Sequence, residues 1–246
     1  MYQYLPHVCY YCGIKLQPNT LTKEHVPPKV FFPNTDRDNL ITVPSCHLHN
    51  SGKSNDDEYL FQMLSIQILA NEKGQNLGTE KGVASIRRNR KFMKELAKNA
   101  SVVYVDEEKN GKLKPTFAFN IDDTRISNSI QAIARALYFF EFNKVFLGKI
   151  TDYNASLISL DENNSIEINQ SLENTRKVIE RNFNHVEKKG SNQEIFYYQF
   201  LEVYPYLGFS YALKLCFYEG INFVVLFREN LKTKIKPLII SLHKML

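Results

Sequence analysis

The chain has 246 residues, of which 43% are hydrophobic and 13% aromatic, and it carries a formal charge of +5. That composition supports a packed core and excludes general disorder; the mild basicity is compatible with a polyanionic partner without pointing to one. No apolar run nears the roughly 18 residues of a membrane-spanning helix. The opening MYQYLPHVCYYC also lacks the basic start and apolar stretch of a secretory signal. The expected location is therefore a reducing cytoplasm, where cysteines two apart serve metals or redox chemistry rather than disulfides.

Cys9 and Cys12 form the first such pair, followed by Gly13, which suits a knuckle that needs positive φ. After 33 intervening residues comes Cys46-x2-His49, so the two pairs together make a Cys3His set of the kind that closes a tetrahedral zinc shell. His47 adjoins Cys46 and is the alternative fourth ligand; the two-residue spacing favours His49. The competing reading is three buried cysteines and a surface histidine, but two pairs with matching spacing argue against coincidence. CYYCG lacks the βαβ setting of a redox motif, and Cys216, within the apolar run ALKLCFYEG, is expected to be a small core residue.

Between the zinc pairs lies LTKEHVPPKVFFP. Glu24 and His25 stand just before Pro27 and Pro28, which remove backbone donors and force a rigid extended turn. A polar turn containing Asn39 leads into a short strand from Leu40 to Val43. The segment after Cys46 reads as a helix start, which would turn Asn50 back toward the strands. Taken alone, His25 is most simply a partly buried histidine beside a proline turn.

Cys9-x2-Cys12, Glu24-His25, Asp38-Asn39-Leu40 and Cys46-x2-His49-Asn50, in this order, resemble the HNH nucleases with their zinc-stapled ββα-metal fold. The likeness covers residues 9 to about 60. A looser likeness to larger, mostly uncharacterised bacterial HNH proteins extends through EHVPPK, VPSC, SNDDEY, ARALYFF and FYEGINFVV. The resemblance implies that His25 is the general base, that Asn39 braces the loop carrying it, and that Glu24 and Asn50 hold a catalytic divalent ion, Mg2+ or Mn2+. It also implies that Cys9, Cys12, Cys46 and His49 hold structural Zn2+. The chain departs from the family at His49, where cysteine is more usual, and at Glu24, which is longer than the usual Asp. The chemistry is consistent with those roles. A neutral imidazole, with an ordinary pKa of about 6.5, suits water activation near neutral pH. A hard cation with oxygen ligands suits charge relief on a phosphorane. The GKS at Gly52–Ser54 is not a P-loop, because the required upstream glycine is His47.

SNDDEYLFQMLSIQILAN predicts a helix over 55–71, with Asp56, Asp57 and Glu58 capping its positive end rather than forming a second metal site. Residues 72–82 read as a polar, glycine-containing connection. A helix over 83–99 crowds Arg87, Arg88, Lys91 and Lys94 onto its polar surface, either as a solvated face or as a phosphate-contacting ridge. SVVYV and PTFAFNI around Asn110-Gly111 predict a hairpin. Helices are expected over 123–142, with Ile126, Ile130, Ile133, Leu137 and Phe140 on one face, and over 165–187, with Ile168, Leu172, Ile179 and Phe183 inward. Strands over 195–203, 209–217 and 222–228 close the chain, the last two joined by YEGIN.

The fold class is α+β with an antiparallel sheet. The expected organisation is a nuclease module over 1–72, a basic helical connector over 73–100 and an accessory α+β domain over 101–246, whose aromatics are read as core. The expected partner is nucleic acid, DNA foremost, with no membrane. A regulatory protein or a second copy of the chain is the further expectation. A non-cleaving zinc module that binds nucleic acid or protein, and a defence or toxin effector silenced by a partner, are the alternatives.

Overall fold

The structure is a computed structural model that describes residues 7–67, 69–82, 94, 97, 98, 100–105, 111–118, 120–156, 165–203 and 208–229. It is a mixed α+β fold with antiparallel sheets. Strands β1 (Thr22–Val26) and β2 (Ile41–Ser45) pair antiparallel, with Glu24 opposite Val43 and His25 opposite Thr42. Between them the chain makes a cis Val26–Pro27 bond and two single 3-10 turns, Lys29–Phe31 and Asn34–Asp36. A third 3-10 turn, Ser51–Lys53, runs into helix α1 (Ser54–Ser65).

From Tyr59 to Ser65 every residue of α1 is buried. A helix apolar on one face only would leave some of these in water, so α1 is an interior element. It ends at Ser65 rather than near 71. The segment 72–82, expected to be an irregular connection, instead holds helix α2 (Glu72–Leu77) and a π-type turn, Gly78–Gly82. The side chain of Asn71 accepts the Gly74 N–H at 3.0 Å and starts α2. Its glycines serve close approach rather than turning: a Cβ on Gly74 would lie 2.6 Å from Cγ of Tyr218, and one on Gly78 would lie 2.3 Å from the Ser65 carbonyl oxygen. Packing has overridden a composition that reads as loop.

Strands β3 (Ser101–Val105) and β4 (Lys114–Ala118) form the expected hairpin. Helix α3 (Asp123–Phe142) matches its expected span and is capped by Asp122, whose side chain accepts the Arg125 N–H at 3.2 Å. Ile126, Ile130, Ile133 and Leu137 are buried as expected, while Phe140 is half-buried. Strands β5 (Lys149–Asn154), β6 (Phe196–Glu202), β7 (Tyr211–Phe217) and β8 (Ile221–Arg228) form an antiparallel sheet in the order β5-β8-β7-β6. Helix α4 (Ser165–Phe183) departs from expectation. Ile168 is exposed, Leu172 and Ile179 are half-buried, and only Phe183 is buried. The helix is held mid-way by Arg176, whose Nε donates to the Ala155 carbonyl at 2.7 Å, and at its C-terminal end, where Gln199 of β6 donates to the Phe183 and Val186 carbonyls.

One buried cluster runs without a break from Tyr10 and Val26, through α1 and α3, to Phe217 and Phe227. Cys216 is a fully buried member of β7, as its apolar run predicts. Tyr218 joins the two ends of the chain: it is fully buried at positive φ in the β7–β8 turn, and its hydroxyl donates to the Phe31 carbonyl at 3.0 Å. No helix among the described residues is long and apolar enough to cross a membrane.

Candidate metal centre and adjoining cavity

The first knuckle is a tight loop. The Gly13 N–H donates to the Cys9 carbonyl, the Cys9 N–H donates to the Ile14 carbonyl, and Gly13 takes φ +71°. The second knuckle is closed by the His49 N–H on the Cys46 carbonyl at 3.1 Å. Tyr10 ties the two together, donating its N–H to the Pro44 carbonyl and its hydroxyl to the His49 carbonyl at 3.2 Å.

Cys9, Cys12, Cys46 and His49 bring their ligand atoms within 4.8 Å of one another. Nδ1 of His49 is 3.2 Å from Cys46 Sγ and 3.8 Å from Cys9 Sγ. Tetrahedral zinc with Zn–S near 2.3 Å needs donor separations of about 3.5–3.8 Å, so this donor set can hold a metal such as zinc. His47 is exposed and outside the cluster, which decides between the two histidines. The electrostatics suit ligation. Burial works against a charged Cys9, but the backbone amides of Cys12, Cys46 and Tyr11 outweigh it and hold that thiol below its usual value. Cys12 is pushed up to about 11 by burial and by the neighbouring sulfurs, which is the repulsion a cation would relieve. Burial, and then Arg135, hold His49 below its ordinary pKa and so in the neutral, ligating form. Tyr11 stacks on the His49 ring at 4.3 Å and fixes its plane.

Beside this cluster lies a cavity of about 660 Å3. Glu24, His25 and Asn50 all line it, together with Asp57 and the lysines Lys23, Lys29 and Lys81. Adjacent strand residues point to opposite faces, so a cavity lined by both Glu24 and His25 runs along the edge of β1 not paired with β2. Asn50 reaches back to that strand, donating from Nδ2 to the Lys23 carbonyl at 3.2 Å. His25 is held below its ordinary pKa by burial first and then by Lys29, Lys23 and Arg37, so its imidazole is neutral at pH 7. Asn39 is not among the cavity-lining residues. It is exposed at φ +56° in the turn before β2, a conformation Asn tolerates better than most residues.

Asp56 and Asp57 lie in the first turn of α1, at the positive end of its dipole as expected, although the N-cap, Lys53, makes no side-chain hydrogen bond. Asp56 pairs with Arg125 at 2.9 Å and accepts from Asn128. Asp57 is buried, accepts Ser129 Oγ at 3.0 Å, and binds Lys53 Nζ at 2.5 Å. The same ammonium lies 2.8 Å from Glu24 Oε1. Lys53, Asp57 and Ser129 were not anticipated as site residues. The (i, i+4) spacing of Lys53 and Asp57 is readable in the sequence, but the contact of Lys53 with Glu24 crosses from the turn before α1 to β1 and is not. Arg87, Arg88 and Lys91 lie outside the described residues; Lys94 is helical and exposed.

Glu24 Oε2 has no partner among the described residues and, with the Asn50 amide, offers the oxygen donors Mg2+ or Mn2+ takes. No protein-family model matches the chain, and no curated protein or solved structure has significant similarity to it.

Proposed function

We propose that the chain is a zinc-stapled nuclease of the HNH type that hydrolyses phosphodiester bonds of nucleic acid, DNA foremost. One observation carries the reading: Glu24 and His25, adjacent on β1, and Asn50, just past the second knuckle, line one cavity beside a Cys3His cluster. Neutral His25 takes the proton of the attacking water. Lys23, Lys29 and Lys81 draw the phosphate into the cavity. Asn39 shapes the turn that feeds β2. Glu24 and Asn50 would hold Mg2+ or Mn2+, which when bound offsets charge on the phosphorane and the leaving oxygen. Zinc on Cys9, Cys12, Cys46 and His49 is structural, since all four positions are protein donors and none is left for substrate. The basic run Arg87, Arg88, Lys91 and Lys94 supplies further contacts to phosphate, and a partner protein or a second copy of the chain regulates the enzyme.

The test is cleavage of plasmid DNA with and without Mg2+ or Mn2+, wild type beside His25→Ala. Metal-dependent nicking that His25→Ala abolishes, with zinc content unchanged, supports the mechanism; full activity in that variant removes it. The competing reading is a non-cleaving zinc module that binds nucleic acid or protein. It is favoured by the ammonium already on Glu24 Oε1, and it requires nucleic-acid binding without cleavage under every ion tried.

A further inference from the structure

Glu24 and Asp57 are buried carboxylates from different elements, with side chains 6% and 9% exposed, and both line the cavity. Lys53, 15% exposed, is not among the lining residues, so its ammonium lies behind them. It engages one oxygen of each carboxylate, Oε1 of Glu24 and Oδ2 of Asp57, while Ser129 of α3 engages Oδ1 of Asp57. Among the described residues this leaves Glu24 Oε2 without a partner. With both carboxylates ionised, Glu24, Asp57 and Lys53 together carry a single net negative charge. Of the neighbouring acids, Glu58 also lines the cavity and accepts from Gln62 Nε2 at 3.3 Å, and Asp56 is offset by Arg125.

We infer that Lys53 is a positioning residue and resident counter-cation of this site: it holds Glu24 and Asp57 in place from behind, and a divalent ion on Glu24 binds against its charge. This rests on the nuclease reading for the presence of the ion, and it adds Asp57 and Lys53 as the pair that sets how tightly the ion is held. A unit charge a few ångströms from a divalent ion, in a site shielded from bulk water, changes affinity by a large factor even after relaxation. Removing the positive charge therefore tightens the site, and removing the negative charge of Asp57 loosens it.

The test measures Mn2+ binding to the zinc-loaded full chain by the electron paramagnetic resonance signal of free Mn2+, without reference to cleavage. Lys53→Gln keeps a side chain that can donate to both carboxylates while removing the charge, and should bind Mn2+ at least about tenfold more tightly than wild type. Asp57→Asn should bind at least about tenfold more weakly, and Glu24→Gln should lose the site. Opposite directions for Lys53→Gln and Asp57→Asn are the signature, because structural loosening alone weakens both. Should Lys53→Gln fail to fold, the double variant Lys53→Gln/Asp57→Asn, which keeps the net charge, takes its place and should bind more tightly than Asp57→Asn. Glu24-dependent binding that ignores Lys53 and Asp57 overturns this inference alone; absence of any Glu24-dependent binding overturns the ion-dependent nuclease reading with it.

Discussion

Replacing Cys46 with serine removes one of four donors and tests the clasp where it joins β2. Structural zinc in small peptides contributes about 10–16 kcal/mol, or about 2.5–4 kcal/mol per donor if shared evenly. Losing a thiolate should therefore weaken zinc by about a hundredfold to a thousandfold. The damage should stay local. Residues 7–16 are tied to β2 through the Tyr10 N–H on the Pro44 carbonyl and to the second knuckle through the Tyr10 hydroxyl on the His49 carbonyl. The sheet β5-β8-β7-β6 makes its own ladder elsewhere. Competition with a chromophoric chelator reads the affinity, and amide hydrogen exchange reads the spread. Cys9, Tyr10 and Gly13 should lose protection while β7 and β8 keep theirs. His47→Ala is the contrast and should leave zinc untouched, because His47 is exposed and outside the cluster. Unchanged affinity in Cys46→Ser, or an equal loss in His47→Ala, would refute the assignment.

The depressed pKa of His25 gives a pH dependence with a defined sign. The unfolded chain binds the proton more tightly than the folded one, so the His25 contribution to stability is full above about pH 6.5 and is lost as pH falls through the lower folded value; the cleavage rate should likewise fall to half only at a pH below about 6.5, and a half-point at or above that pH would contradict a depressed base. Ser129→Ala leaves the buried Asp57 Oδ1 without its donor and should cost about 1–3 kcal/mol in denaturant unfolding. Gly220→Ala places a Cβ 1.8 Å from the Leu69 carbonyl oxygen, closer than any real contact, and should destabilise by about 1–3 kcal/mol with a matching fall in midpoint. Alanine at Arg87, Arg88 and Lys91 together should weaken nucleic-acid binding and flatten its salt dependence; an unchanged salt slope would make the run a solvated face.

The local motifs were the most legible part of the chain. Ligand spacing is a property of adjacent residues, so Cys9-x2-Cys12 and Cys46-x2-His49 announced themselves, and only the choice between His47 and His49 awaited the fold. The span of α3 followed from its apolar period. The hairpins followed from their turn residues. What could not be read were consequences of distant packing. Gly74 looks like a turn residue until Tyr218, far along the chain, is seen to need the space of a missing side chain. Asp57 has the place of a dipole-matching acid in the first turn, and only the fold shows that it also accepts from Ser129 and shares Lys53 with Glu24. Ile168 has the period of a core residue, but the recorded anchors of α4, Arg176 on the Ala155 carbonyl and Phe183 in the core, lie further along the helix.

The Tyr218–Phe31 hydrogen bond bears on any attempt to transplant the site. A donor near the C-terminal sheet satisfies a carbonyl five residues past β1, and Ser129 supplies the second grip on Asp57. A graft of the first seventy or so residues would arrive with a bare carbonyl, a half-held acid and the rings of Phe31 and Phe61 turned out to water. The smallest transferable piece must carry the long third helix and the final hairpin along with the clasp.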